Sequence, residues 1–154
     1  MAFCDADGDP TVVSGAELSA MGGAYRIGGH DNFVFEACEY MDSFLDFNPT
    51  VAVVLNIEMD HVDYFSSMAQ IRRSFSAYMT LTGQDGVAII NADDENVMLA
   101  AKFFGGRKVT FSTKDPSADY SAANIVFDMG RAEFDVVRGG VFAAHIKLSV
   151  PGAH

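Results

Sequence analysis

Short runs of β-branched and aromatic residues recur along the chain at Thr11 to Val13, Asn32 to Glu36, Val51 to Ile57, Gly86 to Asn91 and Lys108 to Ser112, and they read as strands. Val51-Ala52-Val53-Val54-Leu55 is apolar at every position, as a parallel strand covered on both faces requires. Helices are therefore expected between the strands. Met68, Ile71, Phe75, Tyr78 and Met79 recur at helical spacing behind Ser67, which forms a Ser-x-x-Gln capping box with Gln70. A second helix is expected to start at Asp93 or Asp94, run through Val97, Ala100 and Phe103, and stop at Gly105-Gly106.

After Pro116 the pattern changes. Ile125-Val126-Phe127, Ala132 to Val137 and Val141 to Val150 are extended runs joined by Gly130-Arg131 and Arg138-Gly139-Gly140, which predicts a β-meander. In the last run Phe142, Ala144, Ile146 and Leu148 alternate with Ala143, His145, Lys147 and Ser149, so its second face should be wet. The fold class expected is α/β: an open, mostly parallel sheet with flanking helices over residues 1–115, plus a C-terminal three-stranded antiparallel meander over 116–154.

The 154 residues and their 49% hydrophobic content suit one domain with a sizeable core. A net charge of -11 would repel a phosphate backbone, and no Lys/Arg cluster offsets it, which argues against nucleic acid. A phosphorylated small molecule stays compatible, because backbone N–H groups and a divalent cation supply local positive charge. Cys4 and Cys38 lack the spacing of a disulfide framework or a zinc site, and no apolar run approaches a membrane span or a signal peptide. A cytoplasmic protein is expected.

In open α/β sheets ligands gather beyond the carboxyl ends of the strands. There the chain places Glu36-Ala37-Cys38-Glu39-Tyr40-Met41-Asp42, then Asn56-Ile57-Glu58-Met59-Asp60-His61, then Asn91-Ala92-Asp93-Asp94. Carboxylate oxygens suit Mg²⁺ or Mn²⁺, and an imidazole can join such a shell. Spacing alone leaves a plainer alternative open, in which these residues are helix caps and solvated side chains.

As words rather than spacings, these segments resemble successive motifs of the Mur ligase central, ATP-handling domain, in matching order and separation. Asp9-Pro10-Thr11-Val12-Val13-Ser14-Gly15 upstream and Val150-Pro151-Gly152-Ala153-His154 downstream extend the resemblance over nearly the whole chain. Within the family the first two words point to the member that adds L-alanine to UDP-N-acetylmuramate, with the murein-peptide-recycling ligase as nearest competitor. The resemblance implies ATP and Mg²⁺ as cofactors: the muramyl carboxylate attacks the γ-phosphate, and the amino group of L-alanine then displaces phosphate from the acyl phosphate. By motif position, Glu36 and His61 would be metal ligands, Asn56 would line the cleft near the reacting carboxylate, and Asn91, Asp94 and His154 would stand on the nucleotide side. A turn and helix-cap role fits Asn91 and Asp94 equally well.

There are departures from the family pattern. No Gly-x-x-x-x-Gly-Lys-Ser/Thr word occurs, Ser14 stands where Gly is common, and Ala153 where Arg is common. Neither the family's UDP-binding domain nor its carboxyl-terminal domain is represented. The chain is thus expected to be a partial central domain, inactive alone and of marginal stability, with an apolar sheet edge prone to self-association. The competing reading is a noncatalytic α/β interaction module.

Overall fold

The computed structural model describes residues 6–152 and divides the chain into two compact units, one through Cys38 and one from Glu39. The first unit is a three-stranded sheet of β1 (Thr11–Leu18), β2 (Gly23–Arg26) and β3 (Phe33–Phe35) in the order β2-β1-β3. β1 pairs antiparallel with β2 and parallel with β3. The hairpin is an addition to the sequence reading, which ended the first strand at Val13. Ser14-Gly15-Ala16-Glu17 has little strand signature, yet Gly22 adopts a φ of 70° and donates to the Leu18 carbonyl at 3.0 Å, which turns the chain back.

The second unit begins with a 3-10 helix over Tyr40–Asp46. It continues through β4 (Val51–Val54), α1 (Met68–Thr80), β5 (Val87–Asn91), α2 (Glu95–Ala101), β6 (Arg107–Ser112), β7 (Tyr120–Asp128), β8 (Arg131–Arg138) and β9 (Val141–Pro151). These six strands form one sheet in sequence order, parallel from β4 to β7 and antiparallel from β7 to β9. The α/β class with a parallel sheet and terminal meander is thus as expected. The meander, however, starts at Tyr120 and not at Ile125, and it joins the main sheet through Phe111↔Tyr120 and Ser112↔Ser121. The small residues Ser121, Ala122 and Ala123 hide this extension from propensity. β3, which leads to Glu36, belongs to the other sheet, so the three polar strand ends are not three neighbours of one sheet.

Burial alternates along β4: Ala52 and Val54 are buried, while Val51, Val53 and Leu55 are 47%, 51% and 61% exposed. Among the described residues only one face of the strand is covered, contrary to the expectation from its unbroken apolar run. That covered face packs with α1 and α2 into a core of Val54, Ile57, Phe65, Ile71, Met79, Ala88, Ile90, Val97, Ala100 and Phe104.

Both helix starts fall where the caps predict. Ser67 Oγ accepts the Gln70 N–H at 3.3 Å, and the Gln70 side chain reaches back to the Ser66 N–H at 2.9 Å, one residue earlier than in a standard capping box. Asp94 Oδ1 accepts the Val97 N–H at 2.8 Å. α2 ends at Ala101, short of Phe103, where Lys108 Nζ donates to the Ala101 carbonyl at 2.8 Å and satisfies one terminal acceptor. Asp94→Ala is expected to lower unfolding free energy by about 1 kcal/mol, read as a lower urea midpoint at unchanged slope.

The wet face of the meander carries a charge network across three strands. His145 contacts Asp135 through Nδ1 at 2.7 Å and Glu133 through Nε2 at 3.2 Å; Lys147 pairs with Glu133 at 2.9 Å, and Asn124 donates to Asp135 at 2.7 Å. The hydrogen bonds to Asp135 and Glu133 raise the His145 pKa, while those from Lys147 lower that of Glu133 and those from Asn124 and His145 lower that of Asp135. The carboxylate contribution to stability is full above ordinary carboxylate values and fades as pH falls through the depressed ones. The imidazolium contribution is full below the ordinary histidine value of about 6.5 and fades as pH rises through the raised one. The network is therefore strongest at mildly acidic pH. His145→Gln should remove the alkaline decline from a thermal-midpoint-versus-pH curve and leave the acid limb; an unaltered alkaline limb would refute this reading.

Candidate metal and nucleotide site

The loop leaving β4 is held from below by two asparagines. Asn91 Nδ2 donates to the Leu55 carbonyl at 2.9 Å, and Asn96 Nδ2 donates to the Ile57 carbonyl at 3.0 Å. Ile57 is itself buried and anchors the loop between them. The loop then turns sharply at His61, whose φ of 49° lies in the left-handed region. Asp60 Oδ1 accepts the His61 N–H at 2.6 Å, and the His61 carbonyl accepts the N–H groups of Tyr64 and Phe65 at 2.8 Å each. The buried Phe65 ring secures the far side of the turn.

Across from this turn stands the start of the 3-10 helix. Glu39 Oε1 lies 3.5 Å from His61 Nε2, and the Tyr40 ring packs against the imidazole at a centroid distance of 4.6 Å. One ligand atom from each of Glu39, Asp60 and His61 lies within 4.8 Å of the others. Two carboxylates and an imidazole so placed match the donor set of a divalent cation such as Mg²⁺ or Mn²⁺. A cleft of about 310 Å³ opens beside them, lined by Glu39, Asn56, Glu58, Asp60, Phe65 and Phe75. The Tyr40 hydroxyl donates to Asp63 at 2.6 Å, and this bond lowers the Asp63 pKa and raises that of Tyr40. Tyr64 bonds Asp42 in the same way, which raises the Tyr64 pKa.

Of the residues nominated from sequence, Asn56 and His61 lie on one loop, with Asn56 lining the cleft and His61 in the three-ligand cluster. Glu36 belongs to the first unit, where its exposed carboxylate accepts the Gly15 N–H at 2.8 Å. Gly15 suits this contact, since a Cβ there would stand 3.1 Å from the carboxylate. Asn91 both ties the β4 exit and accepts the Asp93 N–H at 2.9 Å, an Asx turn, and Asp94 caps α2. His154 lies outside the described residues. Glu39 and Asp60 were not nominated. Their signal was present in the words themselves, as a carboxylate three residues after Glu36 and one immediately before His61.

Asp93 shows how the third strand end is used. Burial pushes its carboxyl up, but hydrogen bonds from Ser112 and from the Thr113 backbone and hydroxyl outweigh that and hold it low. It stitches the β5–α2 turn to the end of β6.

A family model described as the Mur ligase middle domain matches residues 14–154. The UDP-N-acetylmuramate–L-alanine ligase of Caldanaerobacter subterraneus is 44% identical over 147 residues, covering 95% of this chain and 32% of that protein. The chain thus spans about a third of the length of that relative. Among solved structures, a UDP-N-acetylmuramate:L-alanyl-γ-D-glutamyl-meso-diaminopimelate ligase from Neisseria meningitides superposes with a TM-score of 0.82 at 21% identity, over 98% of this chain and 50% of that one. The UDP-N-acetylmuramate-alanine ligase of Thermotoga maritima gives 0.79 at 23%, over 99% and 33%. A MurF ligase of Thermotoga maritima in complex with ADP gives 0.66 at 16%, over 92% and 34%. At those identities the structures establish likeness of fold. The family match covers nearly all of the chain, and we conclude that the protein belongs to the Mur ligase family and carries its middle domain.

Proposed function

We propose that this domain serves a cytoplasmic, ATP-dependent ligase that joins L-alanine to UDP-N-acetylmuramate in the synthesis of peptidoglycan precursors. The observation that carries the proposal is the Asn56 to His61 loop, which places His61 with two carboxylates beside a cleft, in a chain 44% identical to an L-alanine ligase. In this reading His61 is a metal ligand with Glu39 and Asp60 beside it, Glu36 is a metal ligand by its motif position, and Asn56 orients the reacting carboxylate. Bound Mg²⁺ would supply neutralising charge to phosphate oxygens as the γ-phosphoryl group moves. The protein's own part is positioning: buried Ile57 and Phe65 fix the loop, and the hydrogen bonds to its carbonyls keep it from relaxing.

Calorimetric titration of the 154-residue chain with Mn²⁺ tests the metal role. Binding is expected in the native chain and a loss of at least tenfold in His61→Ala. Equal binding by both would favour the noncatalytic module. In the second reading, the murein-peptide-recycling ligase of the same family, the acceptor is a murein peptide. Phosphate release by a full-length ligase carrying this domain, supplied with L-alanine or with murein tripeptide, separates the two.

We also propose that the chain self-associates through β4 with a second copy. Among the described residues β4 is an edge strand with one side of its backbone unpaired, no charge interrupts Val51 to Leu55, and their outer side chains are half exposed. Sedimentation should show dimers that Val53→Asp abolishes; a native chain that stays monomeric at high concentration would rule this out.

A further inference from the structure

We propose that Tyr40 and Asp42 are positioning residues that lock His61 at the separation from Glu39 that one cation needs. The inference rests on the metal-binding reading of His61 given above.

Two segments meet here, and each carries left-handed residues that are not glycine. Met41 and Asp42 have φ of 54° and 58° in the first, and His61 has 49° in the second. Such backbone persists only where surrounding contacts over-determine it. The contacts form a reciprocal latch. Tyr40 of the first segment donates to Asp63 of the second at 2.6 Å, while Tyr64 of the second donates to Asp42 of the first, also at 2.6 Å. The other oxygen of Asp42 accepts from Ser74, a buried residue of α1, so the latch is moored to the core. The Asp42 N–H closes the turn onto the Glu39 carbonyl at 2.9 Å.

The consequence falls on the imidazole. The Tyr40 ring lies against it at 4.6 Å with an interplanar angle of 35°, and the Tyr64 ring stands edge-on to Tyr40 at 6.2 Å. One face of the ring is covered and Nε2 stands 3.5 Å from Glu39, which restricts the orientations open to His61. Neither Tyr40 nor Asp42 is among the three clustered donors. Their effect passes through the geometry of others, as that of residues supporting metal ligands generally does.

NMR of the histidine ring protons in the 154-residue chain tests this, with Mn²⁺ as the probe ion. In the native chain the His61 ring protons should be shifted upfield by Tyr40, relative to the exposed His30, and broadened first on addition of Mn²⁺. Tyr40→Leu should collapse the upfield shift and weaken Mn²⁺ binding about 10- to 100-fold. Tyr40→Phe, which keeps the ring and loses the Asp63 bond, should fall between. Asp42→Ala should act like Tyr40→Leu, with partial rescue in Asp42→Asn. Should Asp42→Ala fail to fold, the two Tyr40 variants still decide, since Tyr40 is 36% exposed. A ring shift unchanged in Tyr40→Leu, or a collapsed shift with unchanged Mn²⁺ affinity, overturns the proposal. If the native chain shows the upfield shift but no broadening by Mn²⁺, the metal reading fails and the claim that the latch serves an ion falls with it; if broadening occurs without the shift, only the latch is wrong.

Discussion

In a full-length ligase carrying this domain, Glu36→Ala and His61→Ala are each expected to lower kcat for ligation by about 10²- to 10³-fold, the usual cost of removing one element that stabilises developing charge in a transition state. The effect should fall on chemistry more than on folding. Glu36 is exposed, and among the described residues its carboxylate accepts from the Gly15 N–H and the Ser14 hydroxyl, so its loss leaves no buried group unsatisfied. His61 needs a control, because its backbone is left-handed and His tolerates that region better than Ala does. His61→Asn supplies it, since Asn also accepts positive φ but offers no imidazole. Phosphate release coupled to amide formation is the measurement. Should His61→Asn retain near-native kcat while His61→Ala loses it, the backbone and not a ligand role would explain the effect.

Phe65→Ala is expected to destabilise the second unit by about 3–5 kcal/mol, the range for deleting a buried aromatic ring. The ring is 1% exposed, packs edge-on to Tyr64 at 4.8 Å, and sits in the cluster that joins Ile57 of the β4 exit to Ile71 of α1. Native domains have about 5–15 kcal/mol in hand, so this one truncation takes a large share. The loss should also reach the site, because Phe65 N–H is one of the two donors to the His61 carbonyl. Urea unfolding should show a lower midpoint, and Mn²⁺ affinity should fall in parallel. Phe44→Ala should cost a similar amount, since its ring is 2% exposed and stacks on Tyr78 at 4.7 Å. A Phe65 variant within 1 kcal/mol of native would contradict the core as described.

Much of the second unit was legible residue by residue. Ser67 and Asp94 announced helix starts because a side-chain acceptor next to free N–H groups is a local requirement, independent of the rest of the fold. The β5 and β6 strands and the turns at Gly130 and Gly139-Gly140 were readable for the same reason: alternation and positive φ act over a few residues. The β1–β2 hairpin and the start of β7 at Tyr120 were not, since Ser14 to Glu17 and Ser121 to Ala123 have weak strand preference and belong to strands set by pairing with their neighbours rather than by propensity. The single-faced burial of β4 was equally hidden. An unbroken apolar run is compatible with two covered faces, and only the placement of α1 and α2 shows that one of them is open.

For the candidate site the division is similar. His61 and Asn56 could be named in advance because the word that contains them resembles a motif of the family; their spacing alone was compatible with helix caps and solvated side chains. Glu39 and Asp60 became candidates only through distance, and Tyr40 and Asp42 only through reciprocal hydrogen bonds. The family, the helix starts and the strand ends on which chemistry is carried are written in the residues themselves, since each depends on residue identity within a short window. Tertiary structure alone decided which carboxylates approach the imidazole, which face of β4 is bare, and how the meander joins the sheet. Those outcomes depend on contacts between separate segments, such as Glu39 with His61 and Phe111 with Tyr120, and no local pattern encodes a distance.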